Sequence, residues 1–477
     1  MERITVTWGL VLNITFEVGR SKSKEIADAV KVAVLNQILL LGSDVPPYRL
    51  VAVHMGLKRS VVAKAWRILV VDHKLFESAS GGGTRIVSLL PGMLPLPSPV
   101  KRRAGHGHIL RFDMETIGHA YTGSIKLTQE MAKTVNSLPA LELKQLREAE
   151  VPGMGMQLAI LVNENISACY REEQIFYAQG LPFLIYNICT EISPSKKIVI
   201  MTKPASGNLV EAVYRAGKQV RFIDSDHRGM KTDQLEIACK ENPVAFVYLN
   251  TRCLITGTAN ICPERIKELL VLQDRYKFVI IEDDCHVGFY QATPNMLMEQ
   301  VKGKNAKVLY LCPVSLLGPN LYRTYVMAGP VKLVAAVRNK CLFMGGLGAV
   351  NTLIVLKDIM ERKVLRKVEL KMKKYLPDLN ARAYRILKES GLWEAKGISP
   401  AVGWYFFLKP IKGSFPANIT ETLLRLHFAV VDSTDYLPDL PVEAGIMISV
   451  ANYLGSDKLE TDLLKLSSTL KSLIIIN

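Results

Sequence analysis

"KIVIMTKPASGNLVEAVYRAGKQVRFIDSDHRGMKTDQLEIACKENPVAFVYLN", residues 197–250, decides the fold class. KIVIM (197–201), QVRFID (219–224) and VAFVYLN (244–250) are apolar runs of strand length. Between them, GNLVEAVYRAG (207–217) and KTDQLEIACKE (231–241) place apolar residues at helical spacing, the first closed by glycine. Strands and helices in strict alternation predict an α/β fold on a mostly parallel sheet. The alternation continues through CPERIKELLVLQDRY (262–276), with Pro263 in its first turn, and the strands KFVIIEDD (277–284) and KVLYLC (307–312). Upstream, QIFYAQGLPFLIYNICTEI (174–192) reads as a short turn entering a helix. From about residue 380, VGWYFFLKP (402–410) and GIMISVA (445–451) alternate with helices and predict a smaller α+β lobe.

The 477 residues leave room for two or three domains, and 49% hydrophobic with 22% charged residues excludes a disordered chain. The net charge is +16, and half of that excess lies in residues 1–103, with 15 basic against 7 acidic side chains. A basic N-terminal fifth points to a polyanion partner, most simply nucleic acid. The eight cysteines show no C-x-x-C pair and no metal-ligand spacing with histidine, so thiols in a reducing cytosol are expected and no metal. No apolar run reaches the ~18 residues of a membrane span. A soluble, cytoplasmic protein is expected, with no membrane partner.

LLPGMLPLPSPVKRRAGHGHI (89–109) is rich in proline, glycine and basic residues and has no periodicity, so it reads as a linker. Before it, PPYRLVAVHMGLKRSVVAKAWRILVVDHKLFESASGGGTRIV (46–87) holds a short helix, a left-handed turn at Gly56 and a second helix. The second helix is apolar on one face (Val62, Ala65, Trp66, Leu69, Val70), with Ser60 as its expected N-cap. KLFES and TRIV then make two strands joined by ASGGG. Lys58, Arg59 and Ser60 stand at the front of the second helix, where free N–H groups and the helix dipole favour phosphate and base edges. Arg49, Lys64 and Arg67 are candidates for backbone phosphates, and Arg85 for a groove contact from the second strand.

This module resembles the winged helix–turn–helix of the GntR family over about 65 residues. Arg49, Gly56, Arg59–Ser60–Val61 and Gly82–Gly83–Thr84 fall in register with that family's helix, turn and wing. The remainder, roughly 115–470, resembles fold-type I pyridoxal-phosphate aminotransferases, and the combination resembles the MocR regulators. The segments that carry the likeness are QIFYAQGLPFLIYNI, KPASGNLVEAVYRAGKQVRFIDSDHRGM, TRCLITGTANICPERIKELL, VIIEDDCHVGFY, LYLCPVSLLGPNLYRTYVMAG, VGWYFFL and ISVANY. The expected architecture is therefore multidomain: a winged helix–turn–helix at 15–88, a linker at 89–112, an α/β aminotransferase-like large domain at 113–375 and a small α+β lobe at 376–477.

The resemblance also locates a cofactor site, and there the chemistry departs from the family. The phosphate turn falls on Ala178–Gln179–Gly180–Leu181–Pro182, which keeps Gly180 but has no hydroxyl and loses an N–H at Pro182. KPASG (203–207) offers no ring to stack on a pyridine, and Ile255–Thr256–Gly257 replaces a P-T-G with Leu254 at the polar position before it. Asp283 holds the place of the acid that pairs with the pyridine nitrogen, and Cys285 stands for a tyrosine. The aldimine lysine falls on Leu316 when aligned from Tyr310 and on Ser315 when aligned from Pro319; neither has an amine. Lys203, Lys304 and Lys307 are not at that strand-end turn. The phosphate arginine falls on Tyr322, or on Arg323 one residue along, and the carboxylate arginine on Met447.

These losses together imply a vestigial cofactor pocket (Gly180, Leu254, Asp283, Cys285, Ser315, Leu316, Tyr322, Arg323, Met447), no cofactor and no catalysis. The expected function is a DNA-binding transcriptional regulator that binds double-stranded DNA as a homodimer. Its aminotransferase-like domain would serve dimerisation and, in addition, sensing of an unknown small-molecule effector. Two alternatives stand beside it: a pyridoxal-phosphate enzyme or cofactor sensor, and an adaptor without specific DNA readout.

Overall fold

A computed structural model describes residues 6–14, 16, 19, 21–35, 39, 44–72, 75–78, 84–86, 110–112, 129–134, 136, 151–202, 205–226, 228–250, 261–285, 297, 306–315, 324–347, 350–394, 405–416, 419–430, 445–454 and 456–475. The chain divides into two compact units, Met1–Val100 and Lys101–Asn477.

The first unit carries helices α1 (Val6–Val11), α2 (Lys22–Leu35), α3 (Tyr48–His54) and α4 (Arg59–Arg67), the last running into a π-helical turn at Ile68–Asp72. Strands β1 (Asp44–Val45), β2 (Phe76–Ser78) and β3 (Thr84–Ile86) form an antiparallel sheet in the order β1-β3-β2. The turn between α3 and α4 passes through Gly56 at φ +63, the left-handed conformation read from the sequence. One apolar stripe per helix builds the core: Ile26 and Val30 from α2, Val51 from α3, Val62, Ala65 and Trp66 from α4. Trp8 of α1 joins it, 6.4 Å from Trp66 and 6.4 Å from Phe76, with Trp66 and Phe76 5.7 Å apart. Helix α1 therefore belongs to this unit, ahead of the boundary expected at residue 15. Ser60 is inside α4 rather than at its cap; Lys58 is the N-cap and makes no side-chain capping bond.

The second unit is α/β. Its mixed seven-stranded sheet runs β5-β13-β12-β11-β10-β6-β7. These are β5 (Ile175–Gln179), β6 (Ile198–Thr202), β7 (Gln219–Ile223), β10 (Val244–Leu249), β11 (Val279–Asp283), β12 (Val308–Pro313) and β13 (Thr324–Ala328). A small hairpin, β8 (Ser225–Asp226) with β9 (Gly229–Met230), lies between β7 and β10 in the chain. Strands β7, β6, β10, β11 and β12 pair in parallel, and β13 is antiparallel to both neighbours. The central strands are buried on both faces and so are continuously apolar, which is why they stand out in the sequence.

Three sequence expectations change here. IFYAQ (175–179) is strand β5, after a 3₁₀ turn at Glu172–Gln174, and the helix begins at Leu181. The linker expected over 89–112 ends earlier: β4 (Leu110–Phe112) pairs in parallel with β15 (Phe428–Val430). The large-to-small boundary expected at 375/376 falls inside one continuous helix, Val364–Glu389. The C-terminal part adds the pair β14 (Tyr405–Leu408) and β16 (Ile446–Ser449), and the Leu459–Leu473 helix. No helix among the described residues is long and apolar enough to cross a membrane.

Candidate functional site

In the first unit, the turn and front of α4 present Lys58, Arg59 and Ser60 to solvent, and Lys64 and Arg67 extend the exposed side. Burial of Val62, Ala65 and Trp66 forces this orientation, because residues three and four apart share a face. Arg49 of α3 is also exposed, its Nε 3.5 Å from the Tyr48 hydroxyl and its Cζ 5.9 Å from the Tyr48 ring centre. From Pro46 to Val71 the sequence has five basic residues and no acidic one. Arg85 is different: its Nε donates to Asp44 Oδ1 at 3.0 Å across the β1–β3 pair.

In the second unit, three consecutive acids at the end of β11 are buried: Glu282 at 0%, Asp283 at 3% and Asp284 at 1% exposure. Alternation in a strand sends the first two to opposite faces of the sheet. Glu282 Oε1 accepts the Leu297 N–H at 3.0 Å, and Asp284 Oδ2 accepts the Tyr310 hydroxyl at 2.6 Å. Asp283 Oδ2 accepts the Tyr248 hydroxyl, while Asp283 Oδ1 is buried with no hydrogen-bond partner among the described residues. Burial pushes the Asp283 carboxyl up to about 7; the Tyr248 bond opposes this and the charge of Asp284 adds to it. Burial, then the charge of Asp283, holds the Tyr248 and Tyr325 phenols far above their ordinary range, with Cys285 contributing to both. Asn250 Nδ2 donates to Cys285 Sγ at 3.0 Å.

The strand ends thus bring Asp283 together with Tyr248, Tyr325 and the Asn250–Cys285 pair. Tyr248, Asn250 and Tyr325 are additions to the residues read from the sequence. A usable signal existed, since Tyr248 and Asn250 are the polar residues that finish an otherwise apolar strand, where open α/β sheets place ligands.

Ser315 points elsewhere. It is buried, and its Oγ donates to Glu369 Oε1 on the Val364–Glu389 helix at 2.8 Å. Burial raises the Glu369 carboxyl to about 6 despite that bond and the nearby Lys373 and Arg366. Gly180, at φ +85, is the N-cap of the Leu181–Glu191 helix. The Gln179 N–H already donates to Gly346 O at 2.9 Å, and Leu184 N–H to Gly180 O at 3.1 Å. The turn is left with the amides of Leu181 and Phe183, because Pro182 has none. Ala205 is buried and Ser206 caps the Gly207–Arg215 helix without a side-chain bond. Met447 is buried in β16, opposite Phe407. Leu254, Leu316, Tyr322 and Arg323 lie outside the described residues. Among the described residues no cluster of His, Cys, Asp and Glu has the form of a metal site.

No family model matches the sequence. Solved structures do match. An archaeal alanine:glyoxylate aminotransferase aligns at TM-score 0.63 and 15% identity, over 77% of this chain and 92% of its own. The kynurenine aminotransferase of Pyrococcus horikoshii, in complex with PMP, aligns at 0.63 and 17%, over 77% and 92%. The alpha-aminoadipate aminotransferase of Thermus thermophilus, complexed with N-(5'-phosphopyridoxyl)-L-leucine, aligns at 0.62 and 18%, over 77% and 93%. Coverage of that extent cannot come from the first 100 residues. The larger unit has an aminotransferase-like α/β fold.

That finding corrects the expectation of no cofactor. Two of the matching structures hold a phosphopyridoxyl or PMP group, so the fold shared with them is one that holds such a group in those proteins. The residues fit such a group at one point: Asp283 Oδ1 is a buried acceptor with no partner among the described residues, the requirement of a protonated pyridine nitrogen. Bound there, the group would supply an electron sink next to its aldehyde carbon. The lysine that would anchor that carbon is not at 315 or 316.

Proposed function

We propose that this protein is a cytoplasmic transcriptional regulator. Its first unit is a winged helix–turn–helix that binds double-stranded DNA. Its aminotransferase-like domain dimerises, senses a small molecule and does not carry out transamination. The observation that carries the reading is the acid-free, exposed basic face of α3 and α4. Helix, glycine turn, helix and an antiparallel sheet in that order are the parts of a winged helix, with β2 and β3 as the wing. Dimerisation through the larger unit would present two such helices to two half-sites. The absence of an amine at 315 and 316 supports the non-catalytic role.

The test is fluorescence anisotropy of the full chain on the duplex upstream of its own gene, over a salt series. Lys58→Ala with Arg59→Ala should weaken binding 10- to 100-fold at ~150 mM salt and flatten the slope of log K against log salt by about two. Unchanged affinity and slope in this double variant would sink the reading.

A second reading is favoured by Asp283 Oδ1: the larger unit holds pyridoxal phosphate, as an enzyme or a sensor. Titration with pyridoxal phosphate should then raise the melting temperature of the wild type and do so less for Asp283→Asn. A visible-edge absorbance band abolished by borohydride would show an aldimine to a lysine elsewhere, and would replace the first reading's non-catalytic domain with an enzyme. No thermal shift and no band would remove the second reading.

A further inference from the structure

We infer that the outward face of the Val364–Glu389 helix is a second contact surface for the phosphate backbone of double-stranded DNA, formed by Lys363, Lys367, Lys371 and Lys374. The inference rests on the reading of the first unit as a DNA binder and adds a separate footing in the aminotransferase-like domain.

The helix is divided sharply between its faces. Leu365, Val368, Met372, Leu376 and Leu379 are buried. Between residues 363 and 377 the exposed side chains are the four lysines, Leu370, Tyr375 and Pro377, with no acid among them. The single acid of that stretch, Glu369, is turned inward to Ser315. At 3.6 residues per turn Lys367, Lys371 and Lys374 share an arc of about 60°; Lys363 is the N-cap one turn ahead, in the left-handed conformation, and extends the row to about 16 Å.

None of the four makes an ion pair among the described residues. Some helical cations of this unit do find an acid one turn away: the exposed Arg215–Glu211 at 2.7 Å and Lys240–Glu236 at 3.4 Å, and the half-buried Lys357–Glu361 at 2.7 Å and Arg382–Asp378 at 3.1 Å. Lysines repeated at i, i+4 and i+8 repel one another instead, at a cost of a few tenths of a kcal/mol per pair. A row of this kind destabilises its own helix slightly and is relieved by an external line of negative charge.

The geometry selects among polyanions. Duplex DNA carries a charge per ~1.7 Å of axis, so about ten phosphates pass along the length of the row. A lipid surface would be met by a helix that offers an apolar face to the bilayer, and here that face is in the core. Protein interfaces are depleted in lysine. A duplex fits best.

The test uses the full chain with a short duplex of about two helical turns around the recognised sequence, and the same sequence within a duplex several times longer. Lys363, Lys367, Lys371 and Lys374 are all changed to Gln, or all to Arg. On the longer duplex the glutamine variant should bind at least 10-fold more weakly at ~150 mM salt, with a slope shallower by two to four. The arginine variant should match the wild type, and the longer duplex should slow acetylation of the four lysines. The inference is overturned if the glutamine variant keeps wild-type affinity and slope, or if the lysines acetylate equally with and without duplex. Protection by phosphatidylserine vesicles but not by duplex overturns it as well. If Arg59→Ala weakens binding and the glutamine variant does not, only the second surface falls; if neither does, the DNA reading falls with it.

Discussion

The exposed face of α3–α4 and the strand-end cluster around Asp283 are both rich in ionisable side chains, yet they hold them in opposite ways. On α4, Lys58, Arg59, Lys64 and Arg67 remain in water, where each is held at almost no folding cost and acts only on what approaches. At the end of β11, Glu282, Asp283 and Asp284 are out of water, and each depends on a specific donor: Leu297 N–H, Tyr248 and Tyr310. Substitutions in the first region should therefore change binding and leave folding alone. In the second they should change folding and its pH dependence.

The largest effect expected tests whether the two regions are energetically separate. Trp66 is 8% exposed and closes the aromatic trio with Trp8 and Phe76. Trp66→Ala should cost the first unit about 3–5 kcal/mol and remove DNA binding with it. Followed by calorimetry, one unfolding transition should fall and the other stay. If both fall together, the units unfold as one and the contrast between regions loses its basis.

Next comes pH. Asp283 moves from an ordinary 3.8 up to about 7 in the folded protein, so between those values the folded state binds the proton and the unfolded state does not. Stability from this group is therefore greatest below pH 4 and falls as pH rises to 7, by about 4 kcal/mol in all. Glu369 acts in the same direction between 4.5 and about 6. Denaturant melts at a series of pH values should show the wild type losing this stability relative to Asp283→Asn. A difference that grows with pH in favour of the wild type would mean that Asp283 is ionised and paired, and would place the strand-end cluster with the solvated region.

The fold was legible where burial is symmetric. KIVIM, VAFVYLN and KFVIIEDD are continuous apolar runs because both faces of the sheet are covered, and they are β6, β10 and β11. IFYAQ was missed as β5 because Gln179 and the Gly180–Pro182 turn interrupt the apolar run just where the strand ends. Helix α1 was missed because its six residues carry no periodicity; only the packing of Trp8 gives it a place. In the site, Asp283 was visible as an acid ending an apolar strand. Glu369 was not: among lysines on an amphipathic helix an acid reads as surface, and only the chain's return to Ser315 buries it. The Arg85–Asp44 pair was hidden for the same reason, since 41 residues separate its members.

That pair gives the smallest and sharpest test. Arg85 was expected to reach a groove, and the structure gives it a partner instead, with side-chain exposures of 57% and 81% for Arg85 and Asp44. A pair this exposed contributes below about 1 kcal/mol, so Arg85→Ala and Asp44→Ala should each change the melting temperature only slightly. Their effects on DNA separate the two roles. If Arg85 leaves Asp44 for a phosphate, Arg85→Ala lowers affinity a few-fold and the salt slope by about one, while Asp44→Ala raises affinity by removing a competing anion. If Arg85 serves the β1–β3 pairing alone, both variants bind like the wild type. The first outcome makes Arg85 a charge shared between folding and binding, a place where the two modes of holding charge meet; the second confines binding to the helix pair.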